Sequence, residues 1–322
     1  MAKLFTLMTC THNHAGLLRL TIQKMLQLDG LEEYVEEILI VDNASTDGTA
    51  KVVREFSAQN SLVRYLSEPR QGVTYARRHA AELSTPWLIF VDDDNLLSKN
   101  YLVRAAELIE KHPDAGVING AGIAAPLPGE RFTTDEQQRL FAVAAYLACS
   151  HPGVDSFKAG MESMATVPYG AGVILRVEPL KRFSERGWTK NVGRSGETLT
   201  SGEDGEIISA VLEEGYRYLY DSEMYFCHLM PKGRLQEDYL SRLYRGIGHG
   251  MYHYHRQGPH GRVRNICYFA GYCLKLLALP VSLALTGDPV KKLSYHYRSY
   301  SWKAYNRCCL GKREEDKVVS RL

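Results

Sequence analysis

The chain lacks the marks of several protein classes. Its seven cysteines, at positions 10, 149, 227, 267, 273, 308 and 309, are odd in number and show no paired CxxC spacing. That argues against both a disulfide framework and a zinc site. No internal repeat and no low-complexity segment interrupts the 322 residues. With 45% hydrophobic and 24% charged side chains, the composition excludes a disordered, collagen-like or coiled-coil chain. The apolar run over residues 1–8 is too short for a signal peptide and gives way to polar Thr11, His12 and Asn13. Together with the unpaired thiols, it leads us to expect a protein of the reducing cytoplasm. Net charge is also scarce, at only +2. That small total conceals a segregation: from His228 onward 17 basic face 6 acidic side chains, leaving 22 basic and 31 acidic in residues 1–227. An acidic body with a basic tail points to a membrane surface or a nucleic acid. No zinc finger, basic zipper or RNP-type motif is present, so nucleic acid is not the expected partner.

What is present is alternation. Apolar runs at residues 4–9, 35–41, 62–66 and 87–91 read as strands, with helical spacing over 17–28, beyond Gly48 and over 73–83. This pattern predicts an α/β fold, a mostly parallel, Rossmann-like sheet with helices on both faces. Chemistry in such sheets collects at the carboxyl ends of the strands. Three polar clusters each follow a strand directly: Thr11-His12-Asn13, Asp42-Asn43 and Asp92-Asp93-Asp94. All three are expected to line one crevice. Beyond residue 120 the rhythm changes. Residues 121–139, with Pro126, Pro128 and Gly129, read as loop-rich, 173–175 as a strand, and 187–202 as a mobile, glycine-rich loop. A helix over 203–214, strands near 216–220 and 225–228, and helices over 238–256 and 266–285 complete the expectation.

Three adjacent carboxylates at the end of a buried strand repel one another unless a cation neutralises them. A divalent metal carrying substrate phosphates suits them, since Mg²⁺ takes one or two carboxylates and fills its shell with phosphate and water. The alternative is a solvated turn or helix cap, for which Ser98 is better placed than Asn95.

Five ordered motifs resemble the family 2 glycosyltransferases, inverting enzymes of the GT-A type, between Leu4 and about Arg245. Thr11-His12-Asn13-His14 is similar to the family's opening Thr-Tyr-Asn-Arg loop, and Val41 through Thr49 to its second acidic signature. Gly72 through Ala76-Arg77 matches its glycine-to-Ala-Arg-Asn stretch, Phe90 through Asp94 its metal motif, and Gly202-Glu203-Asp204 its Glu-Asp motif. His12, His14 and His79 stand where the family more usually has Tyr, Arg and Asn. The resemblance implies a nucleotide-sugar donor, with a UDP-sugar foremost, held by Thr11, Asn13, Asp42, Arg77 and Asp93. It implies Mn²⁺ or Mg²⁺ on Asp94, Asp92 and His228, the last 24 residues after Asp204. It makes Asp204 the general base, against the plainer reading of a first-turn helix acid favoured by the macrodipole. Gly170 and Glu203 fall on the acceptor side, and Trp188 is a candidate to stack on a sugar face. A bulge at Gly170 and a buried contact for Trp188 are the competing readings.

The implied reaction is transfer of a sugar to a hydroxyl of a glycan or lipid-linked glycan, with inversion, in bacterial polysaccharide or glycoconjugate assembly. A nucleotidyltransferase is the nearest rival. It calls for a Gly-rich, Lys/Arg-bearing loop after the first strand, which Thr11 through Gly16 does not supply. A catalytically inactive sugar-binding protein is the other alternative.

Residues 1–235 form the expected catalytic domain, with a nucleotide-sugar half over 1–119 and an acceptor half over 120–235. Residues 236–322 form a basic helical extension. Within it, 266–286 is mostly apolar but interrupted by Lys275 and Pro280 and flanked by Arg256, Arg262, Arg264, Lys291, Lys292 and Arg298. Basic charge on both sides favours a helix lying in an anionic headgroup layer over a spanning one. The expectation is a peripheral protein on the inner face of the cytoplasmic membrane, with Arg234 free to pair with the pyrophosphate of a polyprenyl-diphosphate acceptor. The competing reading is a helical extension that packs on the catalytic domain or on a second subunit of an oligomer.

Overall fold

The four expected apolar strands pair side by side as the computed structural model has them; it describes residues 3–148, 169–189, 193–194, 199, 201–256 and 260–311. From the N-terminus the elements run β1 (Phe5–Thr11), α1 (Ala15–Met25), α2 (Leu31–Tyr34), β2 (Val35–Asn43), α3 (Thr49–Ser57), β3 (Val63–Glu68), α4 (Val73–Arg78) and β4 (Trp87–Phe90). β1 lies parallel to both β2 and β4, and β2 parallel to β3. Leu7, Ile38, Ile40 and Ile89 go to one face, against Leu18 and Ile22 of α1 and Val53 of α3. Met8, Leu39, Val41 and Leu88 go to the other, against Ala76 of α4 and the Ala80 that follows it. Continuous apolar strands are what a sheet covered on both faces requires.

The second half contains β5 (Asn95–Leu97), α5 (Tyr101–Lys111), β6 (Ala115–Pro126), α6 (Asp135–Ala148), β7 (Ile174–Arg176), α7 (Val177–Glu185), α8 (Glu203–Leu212) and β8 (Arg217–Met230). Among the described residues eight strands form one sheet in the order β3-β2-β1-β4-β7-β6-β8-β5. β7 runs antiparallel to β4 and β6, and β5 antiparallel to β8, while β6 and β8 are parallel.

Three local expectations need correction. Residues 121–139 are not mainly loop: β6 continues to Pro126 in register with β8, and α6 begins at Asp135. Its glycines and alanines are poor strand formers, but a long partner strand overrides that preference. The two short strands read near 216–228 are one strand, β8, whose register with β6 shifts at Gly120/Ala121. A Cβ on Gly120 would lie 2.1 Å from Met224 O, so a side chain is excluded at that bulge. The helix expected over 73–83 ends at Arg78 and continues as a 3-10 turn to Glu82. Of the expected loop over 187–202, residues 190–192, 195–198 and 200 lie outside the described residues.

Three long helices follow: α9 (Glu237–His255), α10 (Gly261–Leu285) and α11 (Pro289–Cys309). α11 had no counterpart in the sequence reading, because its Lys, Tyr, His and Arg residues leave no continuous apolar stripe. Its start was legible. Asp288 caps it by accepting from Val290 N at 2.8 Å and Lys291 N at 3.3 Å, and Pro289 takes the first helical position. α9 stacks on α11 through Tyr244 and Tyr297, whose ring centroids are 5.7 Å apart. Leu240 and Tyr244 join Val143 and Ala144 of α6 in a third core, so these helices close over the sheet end rather than trail away from it.

Candidate active site

The turns after β1, β2 and β4 meet. Asn13, at φ +55°, turns its side chain across the gap, and its Oδ1 accepts from Thr46 N at 2.7 Å and Asp47 N at 3.3 Å. Asn and Asp tolerate this left-handed region better than other side chains. Thr11 donates to Asp93 Oδ2 at 2.6 Å, and the His14 ring donates to Asp93 Oδ1 at 3.0 Å, which raises the His14 pKa. Asp42 accepts from Tyr65 OH at 2.9 Å and Ser45 N at 3.0 Å. Tyr65 had not been singled out from the sequence; on β3 it stands two residues before Ser67, the register partner of Asp42, and so on the same face of the sheet.

Arg77 projects from α4 beneath the end of β4, its guanidinium carbon 5.2 Å above the Phe90 ring and its side chain only 7% exposed. It forms ion pairs with Asp204, with Glu203 at 3.2 Å and with Asp92 at 3.5 Å. The residue assigned to the donor thus gathers three of the carboxylates. Burying that many charges around one guanidinium is tolerable because each pair is charge-assisted. Asp204 lies in the first turn of α8, and the Gly170 N–H donates to its Oδ2 at 3.1 Å.

Asp94 faces a second pair. Its Oδ2 accepts from Arg234 at 2.5 Å and lies 3.4 Å from His228 Nε2, while Arg234 reaches that same nitrogen at 2.9 Å. Burial by itself would raise the Asp94 carboxyl, but His228 and Arg234 outweigh it and hold the group well below the usual carboxylate range. Arg234, expected to stay free for an acceptor pyrophosphate, is occupied here with Asp94 and His228. Trp188 is displaced from its expected role too. It is 7% exposed in the second core, with its ring 5.0 Å from Phe183. Stacking on a sugar is not available to it in this arrangement. Cys10, at the end of β1, is equally withdrawn from chemistry, its thiol pushed up to about 12 by burial.

The cation expected at Asp94 finds a partial fit. Among the described residues no three His, Cys, Asp or Glu side chains converge as a closed cage. Yet Asp94 Oδ1 and His228 Nδ1 are buried without partners among those residues. Among the described residues five carboxylates (Asp92, Asp93, Asp94, Glu203, Asp204) share the site with three guanidinium groups, Arg77, Arg234 and Arg194, the last lining the cavity. One carboxylate and one imidazole, with the remaining positions left to phosphate and water, suit Mg²⁺ or Mn²⁺ rather than zinc. A cavity of about 420 Å³ joins Asp92, Asp204, His228 and Arg234, with α9 as its far wall.

Residues 6–140 match the family described as Glycosyl transferase family 2, so the resemblance drawn from the motifs is borne out over the N-terminal part of the chain. The chain is 22% identical over 209 residues to a glucosyl-dolichyl phosphate glucuronosyltransferase of Haloferax volcanii, covering 63% of this chain and 62% of that one. It is 38% identical over 68 residues to the lipopolysaccharide core biosynthesis glycosyltransferase LpsC of Rhizobium meliloti, covering 21% and 25%. It therefore spans less than two thirds of the length of either relative. The mannosyltransferase PcManGT from Pyrobaculum calidifontis, solved in complex with GDP-Man and Mn²⁺, superposes with a TM-score of 0.59 at 17% identity, covering 96% of this chain and 88% of the other. TarS of S. aureus, solved with UDP-GlcNAc, gives 0.51 at 13% identity over 98% and 95%. The fold is that of the GT-A glycosyltransferases.

Proposed function

We propose that this chain, which carries a family 2 glycosyl transferase module and the GT-A fold, moves a sugar from a nucleotide-sugar donor to a hydroxyl of a glycan or lipid-linked glycan, with inversion. The observation that carries the reading is a cavity lined at once by Asp92, His228 and Asp204. Thr11, Asn13, Asp42 and Asp93 would hold the base and ribose, the last two through their free carboxylate lone pairs. Asp94 and His228, with Asp92 nearby, would hold Mn²⁺ or Mg²⁺. When bound, the cation neutralises the diphosphate and the charge that develops on it as it leaves.

Asp204 would take the proton of the acceptor hydroxyl while that oxygen attacks the anomeric carbon from the side opposite the diphosphate. Gly170 steadies the carboxylate from behind through its N–H. Arg77 would pass from Asp204 toward donor oxygens as the donor enters, freeing the base. The division near residue 235 is then one of role, since α9 still lines the cavity. The exposed apolar residues of α10 (Ile266, Leu274, Leu277 and Val281 among them) support contact with the inner face of a cytoplasmic membrane. Among the described residues α10 is also the one helix long and apolar enough to cross a membrane.

A panel of nucleotide sugars, screened by thermal shift with Mn²⁺, tests the reading. A donor at 100 times its dissociation constant is expected to stabilise by about 2.7 kcal/mol. Asp204→Asn is expected to keep that shift while losing on the order of 10²–10⁴ in turnover. A mutant that retains its turnover removes Asp204 as the base.

A further inference from the structure

One wall of the catalytic cavity is out of keeping with a purely sugar-binding site. α9 has two faces. Tyr244 and Gly248 meet α11, where a Cβ on Gly248 would lie 2.2 Å from Ser301 O. The neighbouring face sends Tyr239, Leu243, Ile247, Met251 and Tyr254 into the cavity that holds Asp204. These positions recur at three- and four-residue spacing, so they form one stripe about 22 Å long at 1.5 Å per residue. Leu243, Ile247 and Met251 are partly exposed rather than sealed in a core. A sugar hydroxyl set against them would lose its water and gain no hydrogen bond. An alkyl or isoprenyl chain would lose nothing.

The stripe runs alongside the reaction centre. Arg234 lines the same cavity, and the base Asp204 follows the Ser201–Gly202 turn that packs on Gly250, next to Met251. At that end Tyr272 of α10 also donates its hydroxyl to Met251 Sδ at 3.8 Å. On its outer side α10 presents Leu274 and Leu277, 67% and 77% exposed, to the surroundings. The apolar helix α10 therefore adjoins the stripe at the end nearest the base.

We propose that Leu243, Ile247 and Met251 form the acceptor subsite for a lipid-linked substrate, whose chain lies along α9 and whose polar end reaches Asp204. This rests on the glycosyltransferase reading for the identity of the reacting end, and on the cavity alone for the apolar chain. It makes α9 the element that selects lipid-linked over free glycans.

Calorimetric titration of the full chain with farnesyl phosphate, below its micelle threshold, tests the proposal, with methyl phosphate as the comparison. Binding of farnesyl phosphate but not methyl phosphate is expected, weakened about tenfold by Ile247→Ser or Met251→Ser, since each removes most of an apolar side chain that the bound chain would cover. Leu277→Ser, on the outer face of α10, is expected to leave it unchanged. Leu243→Trp fills the channel instead of hollowing it and is expected to exclude the chain, so the test does not depend on the serine variants folding. Equal affinity in the α9 variants, loss only in Leu277→Ser, or no binding by the wild type would each overturn the subsite. Nucleotide-sugar turnover is read separately. Farnesyl phosphate binding on α9 with no turnover of any donor would leave the lipid subsite standing and remove the transferase reading.

Discussion

Gly170 holds the base in place by having no side chain. A Cβ there would lie 2.6 Å from Asp204 Cγ and 2.7 and 2.8 Å from its two oxygens. Its φ is outside the left-handed region, so alanine suits the backbone and the carboxylate is what must move. Gly170→Ala is expected to cut turnover about 10²-fold, the cost of a misplacement near 1 Å, while the donor-induced thermal shift is unchanged. Comparing kcat with that shift checks it, and loss of both would mean a wider collapse. Glu68 makes a second residue-scale case. Hydrogen bonds from the Arg70 side chain lead in lowering its pKa; burial opposes them, but the Arg70 N–H and His79 add to the effect and bring the carboxyl to about 2. A carboxyl depressed on folding stabilises the protein above its unfolded pKa and loses that contribution as pH falls through the folded one. Glu68→Gln is expected to cost about 2–3 kcal/mol near neutrality, with the gap from wild type closing as pH drops below about 4.5. Urea midpoints measured from pH 7 to pH 4 check the sign; a gap that widens on acidification contradicts it.

At the scale of elements, α9 is the piece that joins the sheet to the remaining helices. Its Gly250 approaches the strand of chain before α8 so closely that a Cβ would lie 1.6 Å from Ser201 O, and a Cβ on Gly202 would in turn lie 3.4 Å from Gly250 O. Backbone meets backbone here, so neither side yields by a rotamer change. Gly250→Ala is expected to destabilise by about 3 kcal/mol, the upper part of the overpacking range, and to lower turnover by shifting the first turn of α8 that carries Asp204. Denaturant unfolding reads the first effect and donor hydrolysis the second; a neutral substitution would mean that α9 is not fixed against that turn. Helices α1 and α3 were legible as apolar stripes, and Val52, Val53 and Phe56 of α3 are buried as their spacing requires. α11 was not, since five of its six buried side chains are Tyr, Ser or Asn, among them Tyr305, which donates to Asn265 of α10 at 2.6 Å.

Across the whole molecule the charge of the tail and the apolar face of α10 fall on the same three-helix unit. Each basic residue near an anionic surface contributes about 1 kcal/mol before screening, and only those that reach the headgroups count. The full chain is expected to co-sediment with anionic liposomes in a salt-sensitive manner, with the α10 face resisting complete release; Leu274→Asp with Leu277→Asp should abolish the salt-resistant fraction. Sedimentation that ignores anionic lipid would instead leave α10 as a surface for another protein. The parallel half of the sheet, its crevice and the clustering of Thr11, Asn13, Asp42 and Asp92 to Asp94 were open to inference from the sequence alone. Strands with short links have few ways to be arranged, and polar residues directly after them can only meet at one edge. Roles that depend on side-chain direction were not. Arg77 at the centre of three carboxylates, Arg234 on Asp94 and Trp188 inside the core are contacts between segments up to 140 residues apart, set by packing that no local spacing encodes. The apolar stripe of α9 belongs with them: its period was visible, but only the tertiary structure decided that one face meets α11 and the other the catalytic cavity, because a helix records which residues share a face and not what that face will touch.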